Sequence, residues 1–544
     1  MVERTPHRMR RFLVPGVLGL MAALALAGCG GGEVRGTSMP GPPTGNQATF
    51  VYLQNVDVVT DWDPATSYSN ELVAMQNIYE SLTVYNPLTR RAGPRLAERW
   101  QSSPDGKTWT FTLRPGMRFH TGRPVDAAAV KASIERTRKL GQGAAYIWDA
   151  VRGITAKDTL TVEFRLKYPA PIDLVASADY AAYIYDTQAA GSGDLGKWFQ
   201  RGRDAGSGPY TVASWQKGKE KELVLRAFGS YWGGWEGPHY QNVEFRVTPD
   251  LNTSWQLLLR GEASFVQRLT PELFQKARGT AGVRTLQVPS FQNLLVLFNT
   301  ASGPLADVRL RKAVQKAIDY DGILTALKGA GTGATGLVPG GLLGHVTAAG
   351  AQPHQDLAGA AELLTQAGYG PGGKPLRLTM TYAQGDDDEQ VLATLLTNAL
   401  AGLNVQVDAR AMQWNAQWDR GKASDPARRQ DIFVMYWWPD YADAYSWFRN
   451  VFHSATPVSF NLTYLENRDI DSRIDALPSL LATDRGAAEK AYAYLQSALI
   501  GKEAAVAVPW VSNYQRAYLG NVQGFTDNPA YPNVVFVHDL IPSG

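Results

Sequence analysis

From Phe50 onward the chain alternates short stretches in which every second residue is apolar with longer stretches in which apolar residues recur every three or four positions. Trp109, Phe111 and Leu113 fall on one face of a strand entered through the turn Pro104-Asp105-Gly106 and left at Pro115-Gly116. Asp126 then predicts the cap of a helix whose Val130, Ile134 and Thr137 share one side. A second alternating run holds Leu160, Val162, Phe164 and Leu166, and a third Leu294, Val296 and Phe298. Leu310, Val314, Ala317 and Ile318 line a helix; Asp356 opens another, with Ala360, Leu363 and Leu364, that stops at Gly368. Strands are predicted at Val405–Val407 and Ile432–Tyr436, and a last half-buried one near Val534–Val537. Interleaved strands and helices without an internal repeat predict a mixed α/β fold.

The first 47 residues do not share this pattern. Arg4, Arg8, Arg10 and Arg11 precede an apolar run from Phe12 to Ala27 that Pro15 interrupts and that is shorter than the roughly 20 apolar residues a membrane span needs. It reads as a cleaved export signal over residues 1–28. The chain's single cysteine, Cys29, ends Leu26-Ala27-Gly28-Cys29, which resembles the bacterial lipobox, where the cysteine becomes an acylated amino terminus. Two or three acyl chains hold a protein to a membrane surface, so a tethered and not a spanning product is expected. Residues 29–47, rich in Gly, Pro, Ser and Thr, read as a flexible tether.

The remainder of the 544-residue chain is too long for one core and calls for two or three domains. The leader's four arginines against its one acid, Glu3, account for the whole net charge of +3, so the exported part is formally neutral. No basic field remains to attract nucleic acid. With 15 Trp and 24 Tyr, the chain has ample ring surface for a core or for a ligand-lining cleft.

Motifs with catalytic meaning fail on context. Gly331-Thr332-Gly333-Ala334-Thr335-Gly336 has the letters of a dinucleotide fingerprint but follows a helical run and leads into a loop. The seven His are scattered, without a His-Glu-x-x-His pattern, and no Gly-x-Ser-x-Gly elbow occurs. Asp386-Asp387-Asp388-Glu389 precedes a helical run and fits a solvated helix start better than a cation site. Asp61 and Asp63 could serve glycoside hydrolysis only at a separation that sequence does not give. The expectation is a protein that binds, without catalysis, metal or cofactor.

Several ordered segments carry a resemblance: Asp63-Pro64 with Asn77-Ile78-Tyr79-Glu80-Ser81-Leu82; Pro94-Arg95-Leu96-Ala97-Glu98-Arg99-Trp100; Trp109 to Gly116 with Phe119-His120-Thr121-Gly122; Gly206-Ser207-Gly208-Pro209-Tyr210 with Tyr231-Trp232; Phe298-Asn299-Thr300 with Val308 to Ala313; and Trp438-Pro439-Asp440-Tyr441-Ala442-Asp443. Together they resemble the peptide-type, family 5 extracytoplasmic solute-binding proteins of ABC importers over nearly the whole exported chain. The resemblance implies a periplasmic-binding-protein-like, two-lobed α/β fold with an additional domain. Its layout would give a discontinuous first lobe of residues 48–84, 205–300 and 505–544, the additional domain at 85–204, and the second lobe at 301–504. A monomer would close on a small solute, a short peptide first among them, and deliver it to the transmembrane subunits of an ABC permease. An oligosaccharide cargo and, in a different class, a surface-anchored hydrolase are the alternatives.

In peptide-binding relatives the Asp matching Asp440 pairs with the ligand's α-ammonium; without the resemblance, an Asp beside Pro439 reads as a turn or cap. Trp437, Trp438 and Tyr441 would wall the pocket. Trp62, the backbone of Gly206, Ser207 and Gly208, and Phe291 with Asn293 are further ligand-lining candidates. Oligopeptide receptors of the family carry an Arg three residues before the first of these tryptophans, where this chain has Val434, which leaves the partner of a ligand carboxylate open.

Overall fold

Local signals set most of the helices. Asp126, in extended conformation, accepts the Ala129 N–H (2.8 Å) and starts the helix Ala127–Leu140; Gly141, with φ of 61°, stops it behind Arg138 and Lys139. Val130, Ile134 and Thr137 are buried as their spacing requires. Asp307 and Asp356 cap Val308–Ala317 and Leu357–Gln366 in the same way. The computed structural model describes residues 48–345 and 353–543, within a packed unit Pro42–Gly544. The expected signal segment, Cys29 and the tether lie outside the described residues.

A 12-stranded sheet organises the unit. At one end Val405–Met412, Leu376–Ala383 and Ile432–Trp437 run parallel. At the other, Phe265–Val266, Thr49–Gln54 and Asn242–Val247 run parallel and continue antiparallel through Lys221–Ala227 and Tyr210–Trp215. Two long strands join the ends. Val283–Phe298 pairs antiparallel with Trp510–Leu519 from Val283 to Pro289, shifts register, and pairs with Ile432–Trp437 from Asn293 to Phe298. Pro289 has no N–H to give a ladder, so the strand changes partners where its pairing is weakest. Asn293 to Phe298 are buried on both faces, as central strands are.

A separate antiparallel sheet, in the order Ala97–Ser102, Thr108–Leu113, Thr161–Leu166, Val151–Ala156, packs on Ala127–Leu140. The architecture is the two-lobed α/β type with an additional sheet. One expected strand is absent: Val534–Val537 is irregular and ends in the 3₁₀ turn Val537–Asp539. The Asn77 amide donates to Val535 O (2.9 Å) and its oxygen accepts from Val537 N (2.9 Å), so a side chain satisfies the backbone that a ladder would have paired. The long strand near the carboxyl end is Trp510–Leu519, which the alternation did not single out.

The Gly206–Gly208 turn lies hard against the chain that follows the helix Leu72–Ile78. Gly208 N–H donates to Ile78 O (2.9 Å), and a Cβ on Gly206 would lie 2.0 Å from that same oxygen. Ser207 Oγ donates to Glu80 (3.0 Å), which also takes Arg95 (3.0 Å), Trp232 Nε1 (2.9 Å) and Tyr231 OH (3.1 Å). Gly206→Ala is expected to destabilise the protein by about 3 kcal/mol or more, whereas Gly229→Ala, with nothing within 4 Å of its Cβ, stays within about 0.5 kcal/mol. Denaturant unfolding of the two variants checks the difference.

Candidate functional site

Where Ile432–Trp437 leaves the sheet, the chain turns through Pro439 and carries Asp440 inward, 2% exposed. Two hydroxyls remote in sequence meet it. Tyr68, ahead of the helix Leu72–Ile78, donates to Oδ1 at 3.0 Å across 372 positions; Tyr146, in the turn Ala145–Trp148, donates to Oδ2. The Asn450 amide, from Trp447–Phe452, reaches the same Oδ2 (3.3 Å) and the Tyr146 oxygen (3.2 Å). All three donors are neutral. Burial pushes the Asp440 carboxyl up to about 6, against the lowering by these hydrogen bonds.

A second carboxylate stands beside it. Asp179 donates its backbone N–H to Asp440 O at 3.0 Å and is fully buried, yet neither carboxylate oxygen has a hydrogen-bond partner. Its carbonyl oxygen accepts from Tyr183 OH (2.7 Å) and Gln76 Nε2 (3.3 Å), which pins the backbone. Burial, and then the neighbouring charge of Asp440, hold its carboxyl well above the usual range. Among the described residues neither acid makes an ion pair with a Lys, Arg or His.

Aromatic rings enclose this pair. Tyr68 stands edge-on to Tyr180 (4.9 Å) and Phe460 (5.5 Å), and Phe460 in turn to Trp437 (5.4 Å). Trp437 is buried and its Nε1 is without a partner; Trp438 is half-buried. Tyr441 is buried next to Asp443, whose carboxylate is taken up by Tyr492 OH (2.6 Å) and Tyr445 N–H (2.8 Å).

Other candidates have structural engagements away from Asp440. Trp62 is fully buried in the core edge-on to Trp215 (5.6 Å). Gly206, Ser207 and Gly208 form the seam with Ile78 and Glu80. Asn293 donates to Leu337 O (2.7 Å) and accepts from Trp447 Nε1 (2.9 Å), while Phe291 stands edge-on to Tyr85 (6.2 Å). Asp63 is the ion-pair partner of Arg136 (2.5 Å). The acidic run at Asp386 is not a solvated helix start: Arg268 pairs with Asp386 (3.0 Å) and Asp388 (3.1 Å), and Glu389 is buried. The sequence reading missed Tyr68, Tyr146, Asn450 and Asp179. The one available signal was Asp179 itself, an acid inside the otherwise apolar and aromatic run Ala178 to Tyr185.

The site is thus a pair of enclosed acids joined by segments distant in sequence. The comparisons agree with this geometry. Residues 91–458 match the family model described as bacterial extracellular solute-binding proteins, family 5 Middle. The chain is 29% identical over 449 residues to the probable D,D-dipeptide-binding periplasmic protein DdpA of Escherichia coli (strain K12), covering 82% of this chain and 84% of that one. Its fold is that of the Helicobacter pylori periplasmic binding protein DppA in complex with the peptide STSA (TM-score 0.77, 21% identity, 92% of this chain and 98% of that one). It is also that of NikA from Brucella suis in complex with Fe(III)-EDTA (TM-score 0.78, 21% identity, 91% and 100%). Among the described residues no helix is long and apolar enough to cross a membrane. With two-thirds of its length under the family model, the chain belongs to the family 5 bacterial extracellular solute-binding proteins, the receptors that bind cargo, without chemistry, for ABC importers.

Proposed function

We propose that the protein captures short peptides by their free amino terminus in the cleft at Asp440 and presents them to an ABC permease for import. The observation that carries this reading is Asp440 itself, a buried carboxylate held only by neutral donors. An ion buried without a countercharge costs several kcal/mol, and a peptide ammonium supplies the missing charge. The D,D-dipeptide named for the Escherichia coli relative and the peptide in the Helicobacter pylori complex are in keeping with such cargo.

On this reading residues 48–84, 205–300 and 505–544 form one lobe, 85–204 the additional domain and 301–504 the other lobe. Closure then brings Tyr68 and Tyr146 onto Asp440, with Trp437, Trp438 and Tyr441 as walls. Ligand selects the closed form only by the contacts it makes there and not in the open form. The acylated Cys29 and the tether would keep a monomeric receptor at the membrane surface, within reach of its permease.

Calorimetry with L-alanyl-L-alanine, D-alanyl-D-alanine, L-trialanine and the tetrapeptide Ser-Thr-Ser-Ala is expected to find at least one ligand, weakened about 100-fold or more by Asp440→Ala; silence across the panel would reject the peptide reading. The charge also sets a pH dependence. Because the enclosed Asp440 titrates near 6, above its ordinary value of 3.8, it favours the closed empty form below about pH 4 and loses that contribution as pH rises through 6. Small-angle scattering of the unliganded protein at pH 7.5 should therefore show Asp440→Asn more compact than the parent, with the difference gone at pH 4. For the anchor, Cys29→Ser is expected to move the protein from the membrane to the soluble fraction of fractionated cells, and unchanged partition would exclude acylation.

A further inference from the structure

We propose that the cargo's ammonium is held between two carboxylates, with Asp179 as the second and less occupied half of the site. This rests on the reading of Asp440 as a ligand contact and adds to it a residue that the family motif does not mark. The argument is a count of acceptors. A carboxylate offers about four lone-pair positions, and a primary ammonium brings three N–H donors. Asp440 already accepts from Tyr68, Tyr146 and Asn450, so it has room for about one more donor. Asp179 accepts from nothing, with both oxygens buried.

Among the described residues no other buried acid is left in this condition. The buried Glu71 takes donors from Thr60, Ser67, Tyr68 and Ser69, and the buried Asp527 takes Arg516 (2.7 Å). Asp179 lacks both a cation and a donor set. Its backbone is fixed by Asp440 O, Tyr183 OH and Gln76, so the carboxylate cannot simply turn away with the chain. The rings of Tyr68 and Tyr180, in edge contact at 4.9 Å, stand in the same cluster. The ligand class is therefore a primary ammonium with free N–H groups. A peptide whose amine is acylated or removed has no positive charge to offer Asp179.

The test is a double-mutant cycle by calorimetry on the full exported chain. One axis is Asp179→Asn. The other replaces the peptide's ammonium with hydrogen, as in N-propionyl-L-alanine against L-alanyl-L-alanine, or the corresponding analogue of whichever panel peptide binds. The expected result is a loss of about 100-fold on either axis alone and little further loss when both are combined. Asp179→Ser serves if Asn does not fold, and circular dichroism establishes folding for each variant. Binding within about 3-fold of the parent in Asp179→Asn, or losses that simply multiply, would overturn the role of Asp179 while leaving the peptide reading intact. If no peptide binds but 1,4-diaminobutane does, and Asp179→Asn abolishes it, the cation site stands and the peptide reading falls. If neither peptide nor diamine binds, both fall.

Discussion

The constraint on which the structure turns is the cost of burying negative charge. Two carboxylates, Asp440 and Asp179, are enclosed by aromatic rings at the point where segments from four parts of the chain converge, and no protein cation is paired with either. Hydroxyl and amide donors lower the cost at Asp440 without removing it, as its carboxyl at about 6 shows. At Asp179 neither carboxylate oxygen has a side-chain donor, and burial holds the carboxyl well above the usual range. A packed arrangement with such a defect persists only because the surrounding framework is stable enough to carry it, and on the proposed reading a positively charged guest is its remedy.

The framework satisfies its other buried charged groups internally, several of them by ion pairs, which gives that defect its meaning. Arg516 and Asp527 pair at 2.7 Å with side chains almost fully enclosed; Arg95 and Glu80 pair at 3.0 Å; Arg136 closes on Asp63. Arg268 reaches Asp386 and Asp388 at the start of a helix. Each of these ties one stretch of chain to another and holds the sheet ends and the added sheet in place. Against that background, a buried acid with neither a cation nor a donor is the exception among the described residues. What sets Asp179 apart is that it lacks donors as well: the buried Glu71, also without a countercharge, is satisfied by hydroxyl and backbone N–H groups.

How much of this was legible beforehand follows from the range over which each feature is decided. Helix starts at Asp126 and Asp356 are settled within three residues, by a side chain accepting a nearby N–H, so they read directly from the chain. Val534–Val537 was misread because alternation reports burial, and here burial comes from an irregular segment whose backbone is satisfied by Asn77, more than 450 positions away. Asp440 was singled out through its motif. Tyr68 and Tyr146 were not, because nothing local distinguishes them from the other tyrosines; their role exists only once 372 and 294 intervening positions have folded. Trp62 shows the converse, a candidate by proximity to a motif whose ring belongs to the core against Trp215.

The choice of neutral donors at Asp440 has a further physical consequence. An Arg or Lys in place of Tyr68 or Tyr146 would neutralise the site permanently, and the closed form would then gain nothing from a charged guest. A site with no donors at all would make the closed form too costly to visit. Tyrosine hydroxyls lie between these limits, because each satisfies one lone pair while leaving the net charge in place. On the proposed reading the enclosed state is then reachable when empty, yet its remaining deficit is electrostatic, and above the pH at which Asp440 takes a proton it is differential affinity for a cationic ligand that removes it. On the proposed reading, that is how the receptor reserves full closure for cargo bearing an ammonium group while leaving the rest of the pocket, walled by Trp437, Phe460 and Tyr180, to accept varied side chains by apolar contact.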